Sequence, residues 1–328
     1  MSVDAGSHLG RMPVVLDCDP GHDDALAILL AAGSPILDLK MISAVAGNQT
    51  VDLTARNAAR VCALAGLDSV PVFRGSAGPL ERPLITAGSM HGETGLNGPA
   101  FAAPHEKTII RPGDAVAALA RAIKADPDPV TIVATGPLTN IARLIRDNPD
   151  CAPNIAQIVF MGGSTERGNW TPYAEFNILV DPEAADIVFR SGLHLKMIGL
   201  NVTHQVLVTE ERISELRQYG SLGETCVELM LYFRDAYERI FGFPDPPLHD
   251  PLAVAAVIDE SLFSFVPSFV AVETDGTYTT GATVVDLHNR FARPVNAEVA
   301  LGVNVNGFWR LMIQAIRTLS ATDLRSFD

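Results

Sequence analysis

The feature that most constrains the fold of this chain is a succession of segments that recurs along it: an apolar run, then a glycine, then a helix-forming run. Apolar runs of strand type cover residues 14–16, 39–48, 130–136 and 157–163, and each leads through a glycine into a polar or helical segment. This alternation is typical of a parallel sheet whose strands are joined by crossover helices. The sequence therefore predicts an α/β fold with a mainly parallel, mixed central sheet flanked by helices. Residues 264–300 are β-prone and extend the prediction to a mixed sheet, and a helix is expected over residues 309–319.

The chain is expected to form one domain over residues 13–328, because no linker or internal repeat divides it. Residues 1–12 are small and polar, and predict a disordered extension without a hydrophobic segment for secretion. No apolar stretch has the length of a membrane span, so no membrane partner is expected. The four cysteines are scattered without a paired spacing, which fits a reducing, cytoplasmic location.

The negative net charge of the chain restricts the kinds of molecule that it can bind. A formal net charge of −14 in 328 residues argues against binding nucleic acid through phosphate neutralisation. A neutral or cationic small molecule is easier to reconcile with this charge. We therefore expect a small-molecule substrate and no nucleic-acid partner.

Polar residues follow several of the predicted strands. In parallel sheets, ligands bind beyond the carboxyl ends of the strands. Asp19, Asn48, Thr135 and residues 162–163 stand at such ends. We therefore expect them to lie along one rim of the sheet.

The first strand ends in a motif with four aspartates, Asp17, Asp19, Asp23 and Asp24. Side chains at i and i+2 of a strand share a face, so Asp17 and Asp19 are expected to point the same way. Aspartate near a helix N-terminus is also a structural preference, which explains one or two of the four. Four converging carboxylates repel one another unless a cation lies among them, and oxygen ligands suit calcium or magnesium. The motif therefore predicts a metal or catalytic site.

Two further segments carry polar residues in unusual settings. Residues 75–112 are rich in glycine and proline, which predicts a long irregular loop, and they contain His91. Long loops in compact domains tend to be functional, so this one could form a pocket wall. The alternative interpretation is that His91 is a solvated loop histidine. Glu175 and Asn177 alternate around Phe176, so both would face one side of an extended segment and could bind vicinal hydroxyls. Polar capping of a loop is the alternative for this pair.

Near the end of the chain, His249 and Asp250 directly precede an apolar helix. Asp250 followed by Pro251 also fits a helix N-cap with proline in the first turn. His249 has no such structural explanation. The preceding helix carries aromatic residues whose spacing places at least some on a common apolar stripe, and for most of them we expect core packing. These residues are Tyr232, Phe233, Tyr237 and Phe241.

Taken together, the motifs resemble the inosine-uridine-preferring nucleoside hydrolases in identity and in order along the chain. The matching segments are DCDPGHDD at 17–24, GNQT at 47–50, HGETGL at 91–96, TGPLTN at 135–140, MGG at 161–163, Asn169, EFN at 175–177 and HDP at 249–251. The resemblance spans nearly the whole chain from Val14. It implies hydrolysis of the N-glycosidic bond of purine or pyrimidine ribonucleosides, a bound Ca²⁺, and a homodimer or homotetramer that serves nucleoside salvage.

The resemblance also implies roles for individual residues. Asp19 matches the general base that activates a calcium-bound water, and His249 matches the histidine that assists departure of the base. The implied calcium ligands are Asp19, Asp24, Asp250 and the backbone carbonyl of Thr135. The implied substrate-binding residues are Asp23, Asn48, His91, Asn169, Glu175, Asn177 and Asp250. Asp17 is left with a supporting role.

Three residues around the expected nucleobase site bear on which base the protein prefers. His91 lies in the loop over the nucleobase, which resembles members that prefer inosine and uridine or pyrimidines. Two positions depart from the expected pattern: His22 stands where an apolar residue is expected, and Trp170 follows Asn169 directly.

Breaking the bond between C1′ and the base nitrogen places positive charge on the ribosyl ring. A carboxylate-rich pocket favours that charge, and Asp19 would accept a proton from the attacking water. His249, with an ordinary pKa near ~6.5, would protonate the leaving base.

Two other functions remain open from the sequence. A phosphotransferase of the haloacid dehalogenase type also begins with a strand-borne Asp-x-Asp, but Gly21 stands where a threonine or valine is expected. A ribonucleoside-binding protein without catalysis would bind inosine and release no sugar.

Overall fold

A ten-stranded sheet forms the centre of the molecule. The computed structural model describes residues 10–101 and 109–323. The strands are β1 Met12–Cys18, β2 Leu37–Ala44, β3 Val72–Arg74, β4 Ile110–Asp114, β5 Val130–Ala134, β6 Ile155–Met161, β7 Leu195–Ile198, β8 Phe263–Val272, β9 Thr283–Asp286 and β10 Ala297–Val303. Their order in the sheet is β4-β3-β2-β1-β5-β6-β7-β10-β8-β9.

The sheet is parallel over most of its width. Every neighbouring pair from β4 to β10 is parallel, whereas β8 runs antiparallel to both β10 and β9. The predicted mainly parallel, mixed sheet in a single α/β domain is confirmed.

Helices cover both faces of the sheet. They are α1 His22–Gly33, α2 Val51–Leu64, α3 Gly88–His91, α4 Ala115–Ala125, α5 Thr139–Asp147, α6 Phe176–Val180, α7 Pro182–Phe189, α8 Leu200–Thr203, α9 Glu210–Leu216, α10 Gly220–Phe241, α11 Pro251–Ile258 and α12 Val305–Asp323. Short 3₁₀ turns cover Pro149–Asn154, Arg217–Tyr219 and Glu260–Leu262. Among the residues described, none of the helices combines the length and the apolar character that a membrane crossing requires.

Strand β1 contributes to an apolar core on each side of the sheet. Val14, Leu16 and Cys18 pack in the core beneath α1, α2, α11 and α12. Val15 points the other way, into the core beneath α4, α5 and α7. Because both faces of the strand are buried, its sequence is continuously apolar instead of alternating.

Helix α1 begins immediately beyond β1 and fixes the start of the acidic motif. The backbone N–H of Gly21 donates to Oδ2 of Asp24 over 3.0 Å. The carboxylate thereby satisfies one of the free N–H groups at the helix start, where negative charge is also favoured. The motif is therefore turned back over the end of β1.

The structure differs from the sequence prediction in the segment 75–112. This segment was predicted to be irregular, but it contains α3 and the first residues of β4, which pairs in parallel with β3. Strand β4 includes Pro112 and lies at the sheet edge, where a missing N–H breaks no ladder hydrogen bond. At the other end of the chain, β1 begins at Met12, and residues 1–9 of the predicted extension lie outside the described residues.

Candidate active site

The carboxyl ends of the central strands bring the polar residues together on one rim. The backbone N–H of Asn48, beyond β2, donates to Oδ2 of Asp19, beyond β1, over 2.6 Å. The hydroxyl of Thr135, beyond β5, donates to Oδ1 of Asp24 over 2.7 Å. The expected convergence of these residues is observed, because parallel neighbours end at the same edge.

The carboxylate of Asp19 is held between two backbone segments that leave no room for a side chain. A Cβ atom at Gly47 would lie 2.2 Å from Oδ2, and one at Gly136 would lie 2.6 Å from Oδ1. Asp19 is fully buried, and its Oδ1 has no hydrogen-bond partner among the described residues. Buried carboxylate oxygens are normally paired, so this one is a candidate ligand atom or proton acceptor.

Asp23, Asp24 and Asp250 form a carboxylate cluster, in which one oxygen of each residue lies within 4.8 Å of the others. Asp250 adopts helical dihedral angles, φ −61° and ψ −39°, and its side chain makes no capping hydrogen bond. Asp250 thus occupies the N-cap position of α11 with Pro251 in the first turn, as the alternative predicted, but its carboxylate belongs to the cluster and does not cap the helix. The cluster includes Asp23, which the resemblance places on the sugar, so the structure puts that carboxylate next to the expected metal ligands as well.

Burial raises the pKa of every carboxyl group at this rim. The pKa of Asp23 rises to about 7, and those of Asp19 and Asp250 rise well above their usual range because burial is reinforced by neighbouring carboxylates. Burial also raises the pKa of Asp24. A cation among them would remove this penalty, and an all-oxygen donor set fits calcium or magnesium.

The carbonyl of Thr135 faces the same site. It accepts a hydrogen bond of 2.8 Å from Nδ2 of Asn177, which also donates to the carbonyl of Met161 over 3.1 Å. A carbonyl oxygen has two lone pairs, so this contact leaves one for another partner. Asn177 thus joins the ends of β5 and β6.

Asp17 lies beneath the rim and does not line the pocket described below. Its carboxylate accepts from Oγ of Ser43 and, over 2.8 Å, from Nδ2 of Asn140. Asn140 in turn accepts from the backbone N–H of Ser76 over 2.8 Å. These contacts join β1 to α5 and to the loop after β3, which agrees with the supporting role expected for Asp17.

Glu175 caps the short helix α6: its own backbone is extended, but the chain is helical from Phe176 onward. Its carboxylate accepts from the backbone N–H of Asn177 over 2.9 Å, of Ile178 over 3.1 Å and of Gly163 over 3.0 Å. The predicted extended backbone holds for Glu175 and is wrong for Phe176 and Asn177, which form a first helical turn whose free N–H groups the carboxylate satisfies. The capping alternative is thus correct for Glu175, yet both Glu175 and Asn177 still line the pocket.

A pocket above the rim encloses about 520 Å³ of empty space, open solvent at its mouth included. Predicted site residues that line it are Asp23, Asn48, His91, Thr135, Asn169, Glu175, Asn177, His249 and Asp250. Asp19 and Asp24 are fully buried and contact the pocket residues Asn48 and Thr135 from below. Apolar and aromatic lining comes from Ala87, Met90, Met161, Trp170, Phe176, Phe233, Tyr237 and Phe241.

Both ring nitrogens of His249 are engaged. Nδ1 lies 2.7 Å from Oγ1 of Thr203, and Nε2 lies 2.6 Å from the phenolic oxygen of Tyr237. Burial lowers the pKa of His249 well below its usual range, so the expected ordinary value is wrong. Tyr237 was predicted only to pack in the core; its ring does so, but its hydroxyl meets His249 at the pocket wall.

His91 is buried at the end of α3, so the solvated-loop alternative is wrong. Its Nδ1 lies 3.0 Å from Nδ1 of His22, whose Nε2 lies 2.8 Å from the carbonyl oxygen of Asn97. The ring of His22 stacks on Tyr232 at 4.9 Å, with 7° between the planes. Burial lowers the pKa of His22 to about 4.

At the pocket mouth, Oδ1 of Asn169 accepts from the backbone N–H of Phe176 over 2.9 Å. The ring of Trp170, 37% exposed, lies 4.8 Å from that of Phe176. Asn169 therefore also holds the start of α6 in place.

Comparison with known proteins agrees with this geometry. Residues 14–310 match the family model of the inosine-uridine preferring nucleoside hydrolases. The chain is 46% identical over 307 residues to a pyrimidine-specific ribonucleoside hydrolase RihA of Citrobacter koseri, covering 93% of this chain and 98% of the relative. The corresponding protein of Photobacterium profundum is 44% identical over 309 residues, covering 93% of this chain and 98% of the relative.

Solved structures show the same fold. A purine-preferring ribonucleoside hydrolase from Gardnerella vaginalis superimposes with a TM-score of 0.88 at 32% identity, covering 94% of this chain and 99% of the other. A plant nucleoside hydrolase superimposes with a TM-score of 0.84 at 29% identity, covering 94% and 99% respectively.

Proposed function

Because the chain belongs to the inosine-uridine-preferring nucleoside hydrolase family and is an N-ribosyl hydrolase, we propose that it cleaves pyrimidine ribonucleosides with Asp19 as general base and calcium in the aspartate cluster. The observation that carries this proposal is the buried, unpartnered Oδ1 of Asp19 beside the cluster of Asp23, Asp24 and Asp250. Oδ1 of Asp19 would be the proton acceptor and the three clustered carboxylates the cation site, and both adjoin the same pocket.

The donor set fits calcium. Asp19, Asp24, Asp250 and the carbonyl of Thr135 would hold the ion, and all four offer oxygen. When bound, the ion supplies a positive charge that orients the ribose hydroxyls and lowers the pKa of a coordinated water. We favour calcium over magnesium because calcium accepts a larger and more flexible set of oxygen ligands.

Asp19 is positioned to remove the proton of an attacking water. Its Oδ2 is held by the N–H of Asn48, and the two flanking glycines keep the carboxylate in one orientation. The free Oδ1 is then the atom that accepts the proton, and preorganisation of this kind is what general base catalysis requires.

The sugar would bind among the polar lining of the pocket. We assign its hydroxyls to Asp23, Asn48, Asn169, Glu175, Asn177 and Asp250. The carboxylates among these favour the positive charge that develops on the ribosyl ring as the bond to the base breaks. The backbone hydrogen bonds that fix Glu175 and Asn169 would hold the pocket in shape before the substrate arrives.

Departure of the base would be assisted by Tyr237 and His249. Tyr237 and His249 both line the pocket, and His249 contacts Tyr237 through Nε2 and Thr203 through Nδ1. A neutral His249 that donates Nε2–H to the phenolic oxygen leaves the hydroxyl proton of Tyr237 free to pass to the leaving base, and solvent returns a proton to Tyr237 after the base departs. His249 keeps its expected part in leaving-group activation, but the route through Tyr237 is a refinement that the sequence did not indicate.

The preference for pyrimidines is proposed from relatives and from the base end of the pocket. The curated relatives at 44% and 46% identity are named pyrimidine-specific. His91 and Trp170 both line the pocket beside aromatic residues, which suits recognition of a flat base. Inosine stays on the list of substrates to be tested.

We also propose that the protein acts in the cytoplasm, in nucleoside salvage, as a homodimer or homotetramer. All four cysteines are free and buried, which fits a reducing compartment. The phosphotransferase alternative is wrong, because the chain belongs to the nucleoside hydrolase family.

The test is a reducing-sugar assay over uridine, cytidine, inosine and adenosine at fixed concentration. We expect ribose release from uridine and cytidine, and slower release from inosine and adenosine. Ribose from purine nucleosides alone would overturn the base preference, and no ribose from any nucleoside would overturn the hydrolase assignment. Binding without release would instead support the non-catalytic alternative.

A further inference from the structure

Asn57 lies in the middle of α2, is fully buried and is not one of the residues that line the pocket. Its Nδ2 donates to the carbonyl of Pro20 over 3.1 Å and to the carbonyl of Thr94 over 2.8 Å. Carbonyl oxygens only accept hydrogen bonds, so both N–H bonds of the amide are used. Asparagine favours neither a helix interior nor burial, so these two partners explain its presence here.

The two carbonyl groups belong to different parts of the site. Pro20 lies in the turn of the acidic motif between β1 and α1, whereas Thr94 lies in the loop of residues 91–97, which begins at His91. Asn57 therefore joins the acidic motif to the loop that carries His91.

The loop of residues 91–97 is held together as one unit. The backbone N–H and the hydroxyl of Thr94 both donate to Oδ1 of Asn97, over 3.1 Å and 2.6 Å. The N–H of Asn97 donates to the carbonyl of His91 over 3.4 Å. Nε2 of Gln49 adds a second tether, since it donates to the carbonyl of Gly92 over 3.0 Å. A shift of Thr94 is therefore transmitted to His91.

The junction between this loop and the acidic motif has no spare room. A Cβ atom at Gly21 would lie 2.6 Å from Nδ1 of His91, and one at Gly95 would lie 2.8 Å from Nδ2 of Asn57. Groups packed this closely transmit a displacement to one another. Because His91 also lines the pocket, its position there depends on the separation that Asn57 maintains between the two segments.

We propose that Asn57 is a positioning residue, which acts through the loop of residues 91–97 to hold His91 in place for binding of the nucleobase. The inference rests on the proposed function, because it takes the ligand of the pocket to be a nucleoside. His91 contacts the base equally in the bound substrate and in the transition state. Loss of its position therefore raises KM more than it lowers kcat.

The kinetic test compares uridine hydrolysis by the wild type, Asn57→Leu and Asn296→Leu. Leucine is similar in size to asparagine and donates no hydrogen bond from its side chain. Asn296 is the matched control, because its Nδ2 also donates to two carbonyls, those of Phe189 over 3.1 Å and of Val270 over 2.9 Å, and it does not line the pocket. We expect Asn57→Leu to raise KM by about tenfold, the effect of one lost hydrogen bond to the base. Asn296→Leu should leave KM unchanged.

A double variant separates action through His91 from a general loss of order. In the His91→Ala background, Asn57→Leu should raise KM no further, because the group that it positions is already absent. Multiplied effects of the two changes would overturn the proposal. So would a KM of Asn57→Leu unchanged within about twofold, or an equal rise in Asn296→Leu. If Asn57→Leu does not fold, Asn57→Ser replaces it in the same comparison, with an expected rise of about threefold because one donor is retained.

The position of His91 is also measured without turnover, by ¹³C NMR of histidine-labelled protein in which the His91 resonance is assigned by its loss in His91→Ala. We expect this resonance to shift in Asn57→Leu and to keep its wild-type position in Asn296→Leu. A wild-type His91 resonance in Asn57→Leu would overturn the proposal. Since this measurement needs no nucleoside, it decides whether Asn57 positions His91 even if no nucleoside releases ribose and the proposed function fails.

Discussion

The phenolic oxygen of Tyr237 lies 2.6 Å from Nε2 of His249, and both side chains line the pocket. The other ring nitrogen of His249, Nδ1, lies 2.7 Å from Oγ1 of Thr203. The two side chains therefore form a connected route for a proton.

If the pair acts as one unit, its single substitutions are not additive. We expect Tyr237→Phe and His249→Ala each to lower kcat for uridine by roughly 10²- to 10³-fold, with a much smaller change in KM. The double variant should be no slower than the slower single variant, because either change breaks the same route. Tyr278→Phe, at an exposed tyrosine, is the control. Additive losses would show that the two residues act separately.

The role of Asp19 is tested by an isosteric change. Asp19→Asn keeps the shape of the side chain but cannot accept a proton, so we expect kcat to fall by roughly 10³-fold or more. Asp181→Asn is the matched control. Asp181 is equally buried but caps α7 through the N–H of Ala184, so its loss should affect stability more than turnover. Near-normal kcat in Asp19→Asn would remove this residue as the general base.

The glycines beside Asp19 give a test that alters no charge. Gly136→Ala would place a Cβ atom 2.6 Å from Oδ1 of Asp19 and 2.8 Å from Cγ1 of Val45. The carboxylate must then move, and we expect kcat to fall by about 10²-fold, since small displacements of a catalytic group are costly. Gly78→Ala, whose Cβ would have its nearest neighbour at 3.9 Å, should leave turnover unchanged. A folded Gly136→Ala protein with wild-type kcat would contradict the positioning of Asp19.

Glu175 should leave a signature in the pH dependence of stability. Burial raises its pKa from 4.5 to about 7. The folded state therefore holds a proton that the unfolded state loses, and the stability from this group is present below pH 4.5 and is lost as the pH rises through 7. Relative to Glu175→Gln, the wild type should lose on the order of 1–3 kcal/mol of unfolding free energy between pH 4.5 and 8.

This difference is measured by urea unfolding of both proteins across that range, with calcium chelated throughout. Glu238→Gln, at an exposed position of α10, is the control and should parallel the wild type. Parallel curves for Glu175→Gln and wild type would show that the buried Glu175 is already ionised at low pH.

The sheet and the residues along its rim could be predicted from the sequence, because the apolar pattern of the strands and the geometry of a parallel sheet determine both. Strands buried on both faces are continuously apolar, and parallel neighbours must end at one edge, so residues as distant as Asp19 and Thr135 meet there. The edge strand β4 escaped prediction because it is short and contains Pro112. Its pairing depends on β3 and not on its own composition.

The finer geometry of the site depends on tertiary contacts that no local pattern encodes. Tyr237 has the spacing of a core residue and also packs as one, so only the position of its hydroxyl against His249 shows a second role. Likewise, an alternating Glu175–Asn177 pair reads as extended until the carboxylate of Glu175 meets three backbone N–H groups. The hydrogen-bond partner of Tyr237 is distant in the sequence, and the partners of Glu175 become available only once the following residues form a helical turn.

Ribose release from uridine before and after calcium removal tests whether the aspartate cluster needs Ca²⁺ for catalysis. We expect the protein stripped with a calcium chelator to lose at least roughly 10²-fold in kcat, and we expect Ca²⁺ to restore kcat more fully than Mg²⁺ at equal concentration. Undiminished ribose release from protein shown by elemental analysis to be free of calcium would contradict this expectation.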